Sequence, residues 1–301
     1  MNITDIDIYV NKLTQTIVTA NKNILEKYPV DQVIRSIIHF QLPNNYTNIL
    51  EDSNSLLSGV ESEYAPEMNT NYSKLIICKL IQSSFNELIH SNYPADIIAL
   101  YKNWFQSILQ DLDKSDFKRF HYKNDIFVKD INICSLKMFP NGGQIVDTSA
   151  ISKRFIASGN LNQNFKAGLF YFLEMGGNQP FYQFHYDYRC RRGFTPDGWK
   201  KSFLNTAEML KLNPSIKGTF AASWFFDPHL ENISPELNFL RTIPLENGAK
   251  IFKIGSREID IANATSKSKI RTDAYHKGSY IPTCNILIWP RKKLLNWASK
   301  F

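Results

Sequence analysis

The amino-acid sequence predicts an α/β (α+β) protein, with a helical N-terminal region over residues 1–120 and a mixed β-sheet flanked by helices over residues 121–301. Apolar residues in the first region recur every three or four positions, which is the spacing of amphipathic helices. In the second region, short runs rich in β-branched and aromatic residues alternate with helical patterns. The charge changes at the same boundary: residues 1–120 carry 10 Lys and Arg against 14 Asp and Glu, and residues 121–301 carry 25 against 14. The basic second region is therefore expected to bind an anionic partner. The alternative is a generally basic surface that has no specific partner.

The bulk composition excludes several classes of protein. A hydrophobic content of 43% over 301 residues excludes wholesale disorder. The chain has no apolar run that approaches the roughly 20 residues of a membrane span, and its N-terminus lacks the basic start of a signal peptide. The four cysteines have no Cys-x-x-Cys spacing, which favours buried free thiols: Cys78, Cys134, Cys190 and Cys284. We therefore expect a soluble cytoplasmic protein that does not bind membranes.

The first region is predicted to form a helical bundle. Its amphipathic segments are separated by Pro29, by Pro43 and by a polar stretch rich in Asn, Ser and Glu. Pro94 stands in the first turn of the last segment, where its missing N–H is harmless. The predicted helices cover residues 4–28, 31–41, 49–57, 71–90 and 94–112.

The second region is predicted to contain a hairpin followed by alternating strands and helices. Gly176-Gly177-Asn178 separates two aromatic runs, which indicates a tight turn between strands. Thr195 followed by Pro196 is a typical helix start. The predicted strands are 126–139, 168–175, 180–186, 216–226, 249–254 and 280–289, with a turn at 140–143 and helices at 147–158, 196–212, 234–240 and 267–276.

The most informative segment is the strand that ends at Asp187. His185 and Asp187 are polar and stand at its C-terminal end, where ligands commonly bind in α/β sheets. Three arginines and a glycine follow before the next helix, namely Arg189, Arg191, Arg192 and Gly193. Guanidinium groups beside the N–H groups of a helix N-terminus form an anion site. A solvated basic loop is the plainer interpretation.

The segment Tyr188-Arg-Cys-Arg-Arg-Gly-Phe-Thr-Pro196 and the order of elements around it resemble the GNAT N-acyltransferase superfamily. Members of that family hold the pyrophosphate of acyl-CoA on a Gln/Arg-x-x-Gly-x-Gly/Ala turn between a strand and a helix. Arg189 matches the leading arginine and Gly193 the first glycine, although the spacing is one residue longer. Thr195 or Pro196 stands where the family has its second small residue. The resemblance covers about residues 126–290.

The resemblance implies transfer of an acyl group from acyl-CoA, or from an acidic acyl carrier protein, to an amine of a small-molecule acceptor. His185 would then be the base, assisted by Asp187, and Tyr186 or Tyr188 the acid. The strand after the helix would hold the pantetheine arm. The implied cofactor-binding residues are Arg189, Arg191, Arg192, Gly193 and Ser223.

The same histidine supports a second interpretation. His185-Tyr-Asp187 with a distant histidine, His276 or His229, could form the 2-His-1-carboxylate iron site of an Fe(II)/2-oxoglutarate oxygenase. Arg291 would then hold the carboxylate of the cosubstrate. A non-enzymatic binding module is the third interpretation. Nucleic acid is not the expected partner, because no known nucleic-acid-binding module is present.

Overall fold

A computed structural model describes residues 3–41, 43, 45–114 and 116–301 of the chain. The chain divides into two compact units, Met1–Pro140 and Asn141–Phe301. The first is helical, and the second contains most of a mixed β-sheet with flanking helices. The predicted fold class, α/β with a helical N-terminal region, is confirmed.

The first unit is a helical bundle. Its central helix, Pro66–Ile89, is buried on almost every side. It packs against the helices Ile3–Ala20, Val30–His39 and Asp125–Cys134. The predicted helices in this region are confirmed, except that the first is interrupted at residues 21–23 and the third, predicted at 49–57, falls on the 3-10 helix Tyr46–Ser53 and the start of the α-helix after it. The helices are α1 (Ile3–Ala20), α2 (Ile24–Lys27), α3 (Val30–His39), α4 (Asn54–Glu63), the central α5 (Pro66–Ile89), α6 (Ala95–Leu112) and α7 (Asp125–Cys134); the short strand β1 (Met138–Pro140) follows.

A buried ion pair joins α7 to the segment before it. Arg119 and Asp130 are both buried, and Nη2 of the arginine donates to Oδ2 of the aspartate. Trp104 Nε1 donates to the other carboxylate oxygen at 3.0 Å. Within the described residues, Nε and Nη1 of Arg119 have no hydrogen-bond partner. Asp130 is therefore the group that compensates the buried guanidinium charge.

The sheet has six strands in the order β1-β2-β3-β4-β6-β5. Those in the second unit are β2 (Ile145–Ala150), β3 (Pro180–His185), β4 (Gly218–Ser223), β5 (Lys250–Gly255) and β6 (Cys284–Pro290). Among these five, β3 and β4 are parallel, and the other neighbours are antiparallel. The helix between β3 and β4 makes the crossover that a parallel pair requires.

Helices cover both faces of this sheet. On one side, called the first face, Phe155 and Phe170 pack against Phe181, Phe220 and Phe252. The other side, called the second face, carries an aromatic cluster of Phe203, Trp289 and Trp297. The helices of this unit are α8 (Arg154–Ala157), α9 (Leu161–Leu169) with the π-helical turn Phe170–Glu174, α10 (Pro196–Leu212), α11 (Leu230–Ile233), α12 (Phe239–Glu246), α13 (Glu258–Thr265), α14 (Lys269–His276) and α15 (Arg291–Ala298).

Several predicted elements of the second region are confirmed. The helix at 196–212 is α10, and Thr195 caps it by accepting from the N–H of Gly198 at 3.1 Å. The turn at 140–143 is closed by a bond from Asn141 N–H to the carbonyl of Gln144, 3.0 Å long. The strands predicted at 180–186, 216–226, 249–254 and 280–289 correspond to β3, β4, β5 and β6, and the helix at 267–276 to α14.

Other predicted elements are wrong. Most of the strand predicted at 126–139 is helix α7, capped by the Asn124 side chain, which accepts from Ile126 N–H at 2.8 Å. This helix is buried almost all round, so its apolar residues show no helical period. The strand predicted at 168–175 is the end of α9 and the π-helical turn. The helix predicted at 147–158 begins inside β2, and only the short helix α8 near its end is helical. The predicted 234–240 helix begins as the 3-10 helix Pro235–Leu237, and α13 and α15 were not predicted.

All four cysteines are buried thiols, as predicted. Burial raises the pKa of Cys78 to about 12 and that of Cys284 to about 11. Because the thiolate is the reactive form, neither thiol is a nucleophile at neutral pH.

Candidate functional site

The parallel strands β3 and β4 part at their C-terminal ends. Their pairing consists of Tyr182 opposite Thr219 and Gln183 opposite Phe220. By contrast, β2 pairs with β3 over six residue pairs, and β6 pairs with β4 over six residue pairs. The opening between residues 184–185 and 221–223 is called the fork. Main-chain groups on its two edges are not paired with each other, and ligands of α/β sheets commonly bind at such a place.

On the first face, an aspartate stands behind His185. Asp147 lies on β2 opposite Gln183, so it is a diagonal neighbour of His185 on the same face. Nε2 of His185 and Oδ1 of Asp147 are 3.1 Å apart, at ion-pair distance though not aligned as a hydrogen bond. The aspartate side chain is 1% exposed and the histidine side chain 12%. An imidazole next to a buried carboxylate is the arrangement of catalytic triads, where the carboxylate positions the ring.

This side of the fork is open to solvent. Gln183 and His185 are partly exposed and Ala222 is exposed, although all three lie on interior strands of the sheet. Interior strands are normally covered on both faces. A molecule approaching the first face can therefore reach the His185 imidazole at the edge of the fork.

On the second face, a cavity of about 10 Å³, room for about one water, lies beside the fork. Trp199 Nε1 and Thr219 Oγ1 line it and are buried, and neither atom has a hydrogen-bond partner within the described residues. An unsatisfied buried polar atom costs free energy, so a hydrogen bond from either atom to a bound water or ligand group would be favourable. The lining residues include Phe184, Trp199, Phe203, Thr219, Ala221 and Leu287.

The turn after β3 is held by an internal ion pair. The Asp187 carboxylate accepts from the backbone N–H of Arg189 at 2.9 Å and from its Nε at 2.8 Å. This pair begins the 3-10 helix Tyr188–Gly193. Arg191 and Arg192, in contrast, are exposed. Of the three arginines predicted to bind an anion, these two have their charges directed to solvent, whereas Arg189 already neutralises Asp187.

Gly193 has a packing role of its own. A Cβ atom there would lie 2.6 Å from the carbonyl oxygen of Gly142, in the turn before β2. That turn is fixed to α10, because Gly143 N–H donates to Ser202 Oγ at 2.8 Å. Close backbone packing thus requires glycine at position 193 whether or not a phosphate binds.

The remaining predicted site residues lie around the fork. Tyr186 and Tyr188 are exposed, and the Tyr186 ring packs edge-on against Phe194 with centroids 5.5 Å apart. Ser223, at the end of β4, accepts from Phe225 N–H at 3.2 Å and so caps the next 3-10 turn. Tyr186 and Ser223 therefore frame the mouth of the fork.

The residues of the predicted iron site are not brought together. Asp187 is occupied by Arg189, and His276 ends α14 at the surface. No cluster of three or more His, Cys, Asp or Glu side chains in the described ranges has the arrangement of a metal site. His185 instead lies beside Asp147, a residue that sequence reasoning missed. The available signal was a carboxylate inside the apolar run Ile145-Val-Asp147, where an unpaired charge is rare.

A larger cavity lies in the first unit. Its volume is about 520 Å³, and aromatic side chains such as Tyr64, Phe117 and Phe120 line it. Glu61 at its edge ties α4 to the segment before α7, accepting from Tyr122 Oη at 2.8 Å and from Lys123 Nζ at 3.1 Å. An imidazole–carboxylate pair lies here too, with His121 Nε2 and Glu61 Oε1 2.8 Å apart, but Tyr122 and Lys123 hold the same carboxylate. We place the candidate catalytic site at the fork, where the pair stands at the carboxyl end of a parallel strand.

The Glu61 contacts predict an acid-sensitive contribution to stability. Hydrogen bonds from His121, Tyr122 and Lys123 lower the pKa of Glu61 to about 2. Because this pKa is depressed, the stabilisation is complete above about pH 4.5 and is lost as the pH falls towards 2. With 37% of the side chain exposed, solvent screening limits the effect to about 1 kcal/mol.

Glu61→Gln is therefore expected to lower the free energy of unfolding by about 1 kcal/mol at pH 7 and by much less at pH 3. Urea denaturation of the full chain at both pH values measures this. The exposed Glu51→Gln is the control and is expected to change nothing. Equal losses in the two variants, or an equal loss at both pH values, would contradict the assignment.

Comparison of the chain with protein-family models, with curated proteins and with solved structures gives no match. Among the described helices, none has the length and apolar content needed to cross a membrane. The fork and the residues around it are therefore the basis for a functional assignment.

Proposed function

We propose that the chain is an acyltransferase that moves an acyl group from a thioester donor, acyl-CoA or an acyl carrier protein, to an amine of a small-molecule acceptor. The observation that carries the proposal is the fork between β3 and β4. It opens at the carboxyl ends of the two parallel strands, with an imidazole–carboxylate pair at its edge. The resemblance to the GNAT superfamily implies that a pantetheine arm lies in an opening of this kind.

The two sides of the fork suit the two substrates. A pantetheine arm is extended and carries amide groups, which can pair with the main-chain groups on the edges of the fork. On the second face, Trp199 Nε1 and Thr219 Oγ1 lie beside the fork in a cavity with room for about one water, so a donor amide would reach them through such a water. The first face leaves His185 accessible to the acceptor. Donor and acceptor would then meet from opposite faces of the sheet.

The chemistry requires a base and an acid. The amine nitrogen attacks the thioester carbon, the carbon–sulfur bond breaks, and the thiolate leaves. His185 takes the proton that the nitrogen loses, and Asp147 holds the imidazole and stabilises the resulting imidazolium. Tyr186, exposed at the mouth of the fork, would give a proton to the thiolate.

The basic turn suits the anionic end of the donor. Arg191 and Arg192 are exposed on the 3-10 helix that leads into α10. A CoA pyrophosphate or the acidic surface of a carrier protein would pair with their guanidinium groups. Such pairing is sensitive to ionic strength, because both partners are at the surface.

Binding of acetyl-CoA and of an acylated carrier protein, each followed by calorimetry, tests the proposal. The double variant Arg191→Glu/Arg192→Glu is expected to weaken donor binding by about tenfold or more, and added salt is expected to weaken wild-type binding. Lys267→Glu/Lys269→Glu changes the same charge at exposed positions of the same unit and is expected to have little effect. If neither donor binds, or if Fe(II) with 2-oxoglutarate binds instead, the proposal is wrong.

A further inference from the structure

An apolar stripe runs along the outer side of α9 and the π-helical turn. Its five large side chains recur at helical spacing and are between 45% and 89% exposed. They are Leu161, Phe165, Leu169, Phe172 and Leu173. Monomeric proteins rarely expose so many large apolar side chains side by side, and such patches mark interaction surfaces.

The stripe is not needed to hold the helix in place. The opposite side of the same segment already packs on the sheet, where Ala167, Phe170 and Tyr171 are buried in the core of the first face. The segment is therefore apolar on two sides, one of which covers the sheet. A helix that is apolar all round is normally buried on all sides. The outer side thus has the composition of a surface that becomes buried when a partner binds.

The charges around the stripe indicate what covers it. Lys153, Arg154 and Lys166 are exposed, and Glu174, at the end of the π-helical turn, is the one exposed carboxylate between residues 148 and 174. The border of the stripe therefore carries three cations against one anion. Phe and Leu on one side with Lys and Arg at the border is the pattern of segments that lie in the headgroup region of anionic lipids. A symmetric dimer through this surface would bring the same three cations of two copies together, with only the Glu174 carboxylate of each copy to offset them.

We infer that the stripe docks the second unit onto an anionic lipid surface, with α9 lying in the plane of the headgroups. The apolar side chains enter the interfacial layer, and the three cations pair with lipid phosphates. The association is peripheral and reversible, since nine residues of helix and one π-helical turn do not span a bilayer. It replaces the expectation from the sequence that the chain does not bind membranes.

Docking in this way would orient the candidate site. The stripe lies on the outer side of a helix that covers the first face, and the partly exposed His185 side chain lies on that same face. The docked protein would present the acceptor side of the fork to the lipid. This consequence rests on the proposed function and implies an amphiphilic amine as acceptor.

Flotation of the full chain with vesicles tests the docking without any substrate. We expect binding to vesicles of phosphatidylglycerol and phosphatidylcholine in equal parts, and much weaker binding to phosphatidylcholine alone. The triple variant Phe165→Ser/Phe172→Ser/Leu173→Ser is expected to weaken binding by about tenfold or more. Ile259→Ser/Ile270→Ser/Ile281→Ser removes three side chains of similar exposure in the same unit and is expected to bind like wild type.

Each other outcome overturns the inference. No vesicle binding, equal binding to both kinds of vesicle, or equal weakening in the two triple variants would do so. A wild-type dimer that the stripe variant dissociates, measured by light scattering in the absence of vesicle binding, would instead assign the stripe to self-association. His185→Gln is expected to float like wild type, so failure of acyl transfer and failure of docking are distinguishable.

Discussion

Replacement of His185 with glutamine is expected to lower the rate of acyl transfer by about 10²- to 10⁴-fold, the range for loss of a general base. Glutamine fills a similar space but cannot accept the proton of the attacking amine. Donor binding is expected to stay unchanged, because Arg191 and Arg192 are untouched. Single-turnover measurement of product formation, with calorimetry of donor binding, separates the two effects.

A matched change tests the partner of the histidine. Asp147→Asn keeps the side chain in place but removes the charge that stabilises the protonated imidazole, so we expect a smaller loss of rate. Added imidazole is expected to restore part of the activity of a His185→Gly variant and none of the activity of Asp147→Asn. Wild-type rates in His185→Gln, or equal losses of donor binding and rate, would exclude the histidine as the base.

Removal of the Asp130 carboxylate is expected to have the largest effect on stability. Asp130→Ala leaves the Arg119 guanidinium buried without a counter-charge, which costs about 3–5 kcal/mol of the free energy of unfolding. It also removes the acceptor of the Trp104 indole N–H. Urea denaturation, followed by the fluorescence of that tryptophan and by circular dichroism, measures the loss.

The double variant Asp130→Leu/Arg119→Leu separates the loss of the ion pair from the cost of leaving one charge buried without its partner. Two apolar side chains leave no charge in the interior, so we expect this protein to be more stable than Asp130→Ala. Asp52→Ala, at an exposed position of the same unit, is expected to stay within about 0.5 kcal/mol of wild type. A loss of less than about 1 kcal/mol in Asp130→Ala would show that water reaches the guanidinium.

Local chemistry made part of the fold predictable. The helix α10 begins at Pro196 because Thr195 supplies a cap and proline suits the first helical position, and both signals are visible in the sequence. The polar end of β3 could likewise be identified from His185 and Asp187, which follow an aromatic run. These features depend on neighbours in the chain, so no tertiary knowledge was needed.

The wrong predictions concern features whose structure is determined by tertiary contacts. Helix α7 is apolar on almost every side, and residues 168–173 are apolar on a covered side and on an exposed one. Neither segment shows a helical period, so both were predicted as strands. The fork could not be predicted, because it depends on how far β3 and β4 pair across the 32 residues (186–217) between them. The assignment of Asp147 to His185 depends on the register of β2 against β3, which is also a long-range property.

The burial of all four cysteines has a practical consequence for spectroscopy. Since Cys78 and Cys284 also have raised pKa values, the native thiols react slowly with maleimides while the fold is intact. A single cysteine introduced at Leu173, which is 77% exposed, would therefore accept a fluorophore selectively in an otherwise wild-type background. An environment-sensitive dye at that position would report whether the outer side of this segment is in water or in contact with a partner, in real time and without separating the components.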